Sequence, residues 1–195
     1  MSILINRKAI DYRRKNNQSG FTIIEMLVVA LMVGILSAIA APTWLMFANR
    51  QKVRTVNDRV YNAIQEAQSQ AQLTSLGRSL EFGEHQGIPA YRIYLTSGGR
   101  PDDDNAGWQT LDVNGEINEG QITLQVIPAK DNTIEEDNTL VFDHLGVLVR
   151  ANNIKEDNPF RVVVSSADET VIHCVLVRTI LVSTQKREGD ACFDE

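Results

Sequence analysis

Cysteine is nearly absent from this chain of 195 residues, which has two, Cys174 and Cys192, both near the C-terminus. Neither has a ligand partner at metal-site spacing, and His85, His144 and His173 are scattered singly. No metal ligand set and no cofactor are therefore expected. Aromatic residues make up only 6% of the chain, yet hydrophobic residues reach 43%, the content of a folded protein rather than a disordered one. Glycine and proline are missing from residues 43–76, so nothing there interrupts a helix. Between Phe21 and Phe47 the chain has a single charge, Glu25. A nucleophile elbow, a phosphate-binding loop and a motif with paired carboxylates are also absent, and no enzyme is expected. There is no internal repeat.

The charge that is present is unevenly placed. Residues 1–20 hold Arg7, Lys8, Arg13, Arg14 and Lys15 against Asp11, a net of +4. With a total of −6, the remainder carries −10. So acidic a body disfavours broad nucleic-acid binding, which depends on neutralising phosphates.

The run from Phe21 to Ala41 has 21 residues, of which only Glu25 is charged. At about 1.5 Å per residue a helix of that length spans roughly the 30 Å hydrocarbon core of a bilayer. A cleaved secretory signal is the competing interpretation, because Ala38-Ile39-Ala40 has small residues at a signal-peptidase spacing. The run is longer than the usual signal core and holds a carboxylate early, which favours a membrane anchor. Basic residues lie on both sides of the span, the leader cations before it and Arg50, Lys52, Arg54 and Arg59 after it, so charge alone orients it weakly.

Past Pro42 the helical pattern continues but becomes one-sided. Val53, Val56, Val60, Ile64, Ala67 and Ala71 recur at steps of three and four, with Arg50, Lys52, Arg54, Asp58, Arg59, Gln65 and Gln68 on other faces. Gly77 is the expected stop. Short runs rich in Val, Ile, Leu and Thr follow at 79–82, 91–96, 109–113, 121–127, 139–142, 147–150, 160–165 and 174–183, separated by Gly, Asn, Asp and Pro. "FDHLGVLV" reads as a hairpin with Gly146 at positive φ. The expected fold is α+β: a long N-terminal helix, membrane-spanning in its first half and amphipathic in its second, packed on an antiparallel, sandwich-like β domain. The boundaries are a leader over 1–20, a span over 21–41, its amphipathic continuation over 42–77 and a β-rich domain over 78–195.

The N-terminal stretch "QSGFTIIEMLVVA" places Gly20 and Phe21 ahead of Glu25 and the apolar run, with Pro42 lying 21 residues beyond Phe21. This resembles the signal of type IV prepilins and of the pseudopilins of type II secretion. The resemblance implies cleavage between Gly20 and Phe21 by a prepilin peptidase, N-methylation of Phe21, and insertion in the inner membrane with the C-terminal domain outside the cytoplasm. It further implies assembly with other pilin or pseudopilin subunits in a pilus or pseudopilus filament. A charge in the bilayer costs about 2.5–3.5 kcal/mol on insertion scales, which marks Glu25 as functional. Its implied partner is the new amine of Phe21 in a neighbouring subunit, while Gly34 and Pro42 bracket a stretch able to unwind on assembly.

The late segments "FDHLGVLV" and "CVLVRTILVSTQKREGDAC" resemble the FimT- and GspH-type minor pilins, in which a Phe-Asp-x-x-Gly turn precedes the last strands. Many of those end in a basic Gly-Arg-x-Arg signature that contributes to DNA uptake in some. Here Lys186 and Arg187 precede the glycine, with Glu188 between, which weakens DNA as a partner and favours a solvated turn. Cys174 and Cys192 flank this segment. In an exported domain a disulfide between them is the leading expectation, adding about 3 kcal/mol in the chain-entropy model. Asp102-Asp103-Asp104-Asn105 has calcium-type oxygens, but the closing glutamate of the regular loop is missing and a solvated turn is expected.

Overall fold

A computed structural model describes residues 20–103, 106–112, 115–127, 138–149, 159–178 and 181–194. One helix, α1 (Ile23–Thr74), is followed by β1 (Arg78–His85), β2 (Ile88–Leu95), β3 (Gln109–Thr110), β4 (Ile122–Ile127), β5 (Thr139–Phe142), β6 (Phe160–Ser166), β7 (Ile172–Val177) and β8 (Thr184–Glu188). The chain divides into two units, Met1–Thr43 and Trp44–Glu195.

In the first unit α1 begins behind Thr22, whose hydroxyl accepts the Glu25 N–H at 3.3 Å and so satisfies one of the orphan donors of the first turn. The helix continues without interruption through positions 34 and 42. Its apolar side chains are exposed from the start, and its most apolar 18-residue window has a mean hydropathy of 2.6 with none of it buried. It is long and apolar enough to cross a membrane.

In the second unit the remainder of α1 buries one stripe. Val53, Val56, Val60, Ala63, Ile64, Ala67 and Ala71 share a single core with side chains from two antiparallel sheets. The first sheet runs β3-β2-β1-β5 and contributes Leu80, Phe82, Tyr91, Leu140 and Phe142. The second runs β4-β6-β7-β8 and contributes Ile122, Phe160, Val162, Val164, Val175 and Val177. The expected α+β arrangement, a long helix on antiparallel sheets, is the one observed. Burying each such aliphatic side chain is worth about 1.5–3 kcal/mol against leaving it in water.

Both sheets also bury residues on the face turned away from this core, because strand side chains alternate. Behind the second sheet, Val163, Cys174, Leu176 and Cys192 form a separate small cluster. Cys174 and Cys192 are joined as a disulfide across 18 residues, with Cα atoms 5.8 Å apart, and the short 3-10 turn Gly189–Cys192 closes over the strand. Behind the first sheet, Glu81 and Arg92 stand directly opposite each other on β1 and β2. Arg92 Nε donates to Glu81 Oε2 at 2.8 Å, and Arg100 reaches the other carboxylate oxygen at 2.9 Å. The Arg92 guanidinium also lies 4.7 Å from the Trp108 ring, and it is 1% exposed. Trp108 comes so close to the strand that a Cβ on Gly83 would stand 2.8 Å from its ring, which is why a glycine occupies that position.

Several expected elements differ. The helix ends at Thr74, three residues before Gly77, and Ser75 takes the left-handed turn at φ 51°. Gly77 instead stands at a close approach, where a Cβ would lie 3.2 Å from the Phe142 carbonyl oxygen. The run 174–183 is not one strand. The Arg178 N–H donates to the Ser183 carbonyl at 3.0 Å, Val182 has φ 62°, and the chain returns as β8. Val182 is buried in the main core from within that turn, so an apolar residue in a turn extended the apparent strand. Of the strand expected at 147–150, the described residues make only one bridge, Leu148 to Phe142, and Arg150 lies outside the described residues. The strand expected at 109–113 shortens to β3, with Val113 also outside the described residues. β1 and β2 both extend further than expected and meet in a two-residue turn in which Gln86 and Gly87 each have positive φ, as a tight hairpin requires.

The Phe142–Gly146 turn forms as expected, with Gly146 at φ 75°. Asp143 accepts the N–H groups of Val147 at 2.9 Å and Leu145 at 2.8 Å. These bonds, that of Val147 foremost, hold its carboxyl below the ordinary range. Asp168 is lowered in the same direction by the Ser166 hydroxyl and by Thr170.

Two outcomes follow. A carboxyl whose folded pKa lies below its unfolded value stabilises above the unfolded value, and that stability is lost as pH falls toward the folded one. The melting temperature should therefore drop on acidification from about pH 5 downward, and Asp143→Ala should flatten part of that slope in thermal scans across pH. Removing Glu81 strands a buried guanidinium, so Glu81→Ala should cost about 3–5 kcal/mol in denaturant unfolding, whereas exposed Glu84→Ala should cost almost nothing.

Candidate functional site

The sequence-derived residues fall into two groups. Gly20, Phe21, Glu25, Gly34 and Pro42 belong to the first unit, and Cys174, Lys186, Arg187 and Cys192 to the second.

Gly20 and Phe21 precede the helix in non-helical backbone, and Phe21 is 72% exposed. The bond between them therefore lies outside regular structure. Thr22 and Glu25 stand in the relation of a capping box, in which the threonine hydroxyl serves the backbone N–H of the acid three residues on. The carboxylate also sits in the first turn of α1, where the positive end of the helix dipole favours an anion. Glu25 thus has a reason to be acidic within its own helix. Thr-x-x-Glu was visible in the sequence as part of the larger motif, and its capping role is a separate property of the same residues. Gly34 has open space where a Cβ would stand, so no contact among the described residues requires a glycine there.

Lys186 and Arg187 are not in a solvated turn. They lie on β8, the edge strand of the second sheet, paired with Val175 and Cys174. Sequence reasoning missed this strand because its five residues, Thr-Gln-Lys-Arg-Glu, have no apolar alternation. Lys186 Nζ is 2.7 Å from Asp58 Oδ1 and 4.4 Å from the centre of the Tyr61 ring, both on α1. Arg187 donates to the Ala191 carbonyl at 3.2 Å. Both cations therefore have partners within the fold, and they anchor β8 to the helix and to the C-terminal turn.

His173 stands 3.4 Å from Glu188 as a cross-strand pair at the edge of the second sheet. Among the described residues no three His, Cys, Asp or Glu side chains gather as a metal would require. Asp102 and Asp103 are exposed, while Asp104 and Asn105 lie outside the described residues.

Two further features were not singled out from sequence. Tyr91 donates to Glu66 at 3.2 Å and to Gln109 at 3.0 Å, tying α1 to the first sheet, and its burial with that carboxylate pushes the phenol up. Just beyond the first unit, the Trp44 and Phe47 rings have centroids 6.1 Å apart and are 70% and 60% exposed. With Ala48 they line one wall of a groove of about 220 Å³, whose other wall includes Leu111 and Ile117.

Among solved structures, the chain is similar to GspH of E. coli, seen in its solution structure, at 14% identity and a TM-score of 0.44. That alignment covers 72% of this chain and 90% of the GspH chain. No curated protein matches the sequence. The family described as the prokaryotic N-terminal methylation motif matches residues 15–41. That match takes in Gly20, Phe21, the capped turn at Glu25 and the apolar run up to Ala41.

Proposed function

We propose that this protein is a minor pilin of the FimT/GspH type that enters a type IV pilus through its N-terminal helix. The methylation motif over 15–41 carries the proposal. The order of events is set by chemistry at the start of α1. A prepilin peptidase cuts between Gly20 and Phe21 and the Phe21 amine is methylated. That amine and the Glu25 carboxylate are then opposite charges about one turn apart along a helix. In a bundle of such helices, pairing each amine with a neighbour's Glu25 sets the axial register, because either charge left alone in hydrocarbon is penalised.

The rest of the span suits the same task. Side chains exposed along its whole length are available to helices of adjoining subunits. Gly34 and Pro42 weaken the intervening stretch, since each lowers helix propensity, and proline also removes a backbone hydrogen bond. That supports local unwinding as subunits are drawn into a filament. The second unit, held together by its own core and disulfide, is displayed outside the cytoplasm, where a disulfide persists. A pseudopilin of type II secretion would use the same N-terminal chemistry, and the assembly that retains the protein distinguishes the two.

The test is the chemistry of the mature end. Protein recovered from membranes should begin at Phe21 and carry one added methyl group by intact mass and N-terminal sequencing. Cells lacking the prepilin peptidase should yield only the chain that still carries the leader ahead of Phe21. A mature protein beginning at Ala41 would replace the anchor with a secreted domain. Separately, Glu25→Ala should leave the second unit's melting temperature unchanged while reducing the amount recovered in sheared filaments at least about tenfold, the loss expected for one unmatched charge. Normal incorporation of that variant would remove the register role.

A further inference from the structure

The charge of the second unit is segregated. Residues 44–59 hold Arg50, Lys52, Arg54 and Arg59 against Asp58, a net of +3, while residues 60–195 hold 10 basic and 22 acidic groups, a net of −12. A cationic collar at the start of an acidic body, directly after an apolar run, is not what solubility or folding demands. It also opposes the bias that keeps cations on the cytoplasmic side of a membrane span.

The fold uses some of these cations and leaves others unused. Lys52 donates to the Glu116 carbonyl at 2.8 Å and to Gln121 at 3.2 Å, so it is committed. Arg59 is half-buried. Arg50 and Arg54 are exposed, and neither makes a hydrogen bond or ion pair to another described residue. They are four apart on α1 and therefore lie on one face. Phe47, three residues before Arg50, begins the same row, and Trp44 packs against Phe47. An exposed aromatic pair followed by two unpartnered guanidiniums reproduces, in order, the layers of a membrane surface. Trp and aromatic rings favour the boundary between hydrocarbon and headgroups, and arginines favour the phosphates beyond it.

We propose that the face of α1 bearing Trp44, Phe47, Arg50 and Arg54 is a headgroup-binding surface that gathers anionic phospholipids where the span leaves the bilayer. The proposal rests on residues 21–41 being a membrane span, as proposed above. Arg50 and Arg54 supply bidentate donors for lipid phosphate, and the rings hold the helix at a fixed depth. The acidic remainder of the body is repelled by the same headgroups, so the collar defines which part of the second unit meets the membrane.

The test uses the full chain reconstituted into phosphatidylcholine vesicles that contain a minor fraction of either brominated phosphatidylglycerol or brominated phosphatidylcholine. Bromine quenches nearby tryptophan, and the Trp44→Phe variant measures the background from Trp108. Brominated phosphatidylglycerol should quench Trp44 about threefold more efficiently, and high salt should erase most of the difference. Arg50→Gln with Arg54→Gln should bring the ratio to about one, while the paired Lys substitutions should largely preserve it, since surface attraction to anionic lipid follows charge. Equal quenching by the two lipids in the unaltered chain would overturn the headgroup surface while leaving the span intact. Absence of quenching by either would overturn both.

Discussion

One side of one helix organises the second unit. The stripe of Val53, Val56, Val60, Ile64, Ala67 and Ala71 shares one core with the inner faces of both sheets, and its residues are at or near complete burial. Three of the buried positions toward its C-terminal end are alanines, Ala63, Ala67 and Ala71. Small side chains allow strands to approach the helix closely, so residues as large as Phe82 and Phe142 can fill the space from the sheet side. The contacts that tie the helix to the strands presuppose that seam. Lys186 finds Asp58, and Tyr91 finds Glu66, only because the helix already lies where the stripe puts it.

The polar and covalent devices behind the sheets solve a different problem. A strand buried on both faces has no polar side, and a sandwich with bare outer faces would be prone to association. The second sheet covers its outer face with Cys174, Leu176 and the cystine-bound C-terminal turn. The first sheet covers its own with an ion pair under an indole ring, which buries charge at a desolvation cost but leaves it matched. Gly83 shows how closely that cover fits.

The contiguous parts of this protein were legible in its sequence, and the parts made by long-range pairing were not. The N-terminal motif, the apolar span and the amphipathic stripe are each local patterns in which neighbouring residues carry the information. The Asp143–Gly146 turn is equally local, since one carboxylate and one glycine define it. By contrast, β8 is polar and lies at a sheet edge, so it becomes a strand only because β7 offers it a partner. The opposition of Glu81 and Arg92 depends on hairpin register, which no periodicity announces. Val182 misled because it is apolar and buried yet sits in a turn.

The way β8 is fastened has a mechanical consequence. Tension applied to the end of a chain peels an edge strand one hydrogen bond at a time, unlike shear, which loads all of them together. Here the lysine in the middle of that strand is clasped by the helix, and the segment just past it is stitched to the adjacent strand by the cystine. A pull on the C-terminal tail is therefore diverted through a covalent link into β7, and unzipping from that end is blocked at its first step.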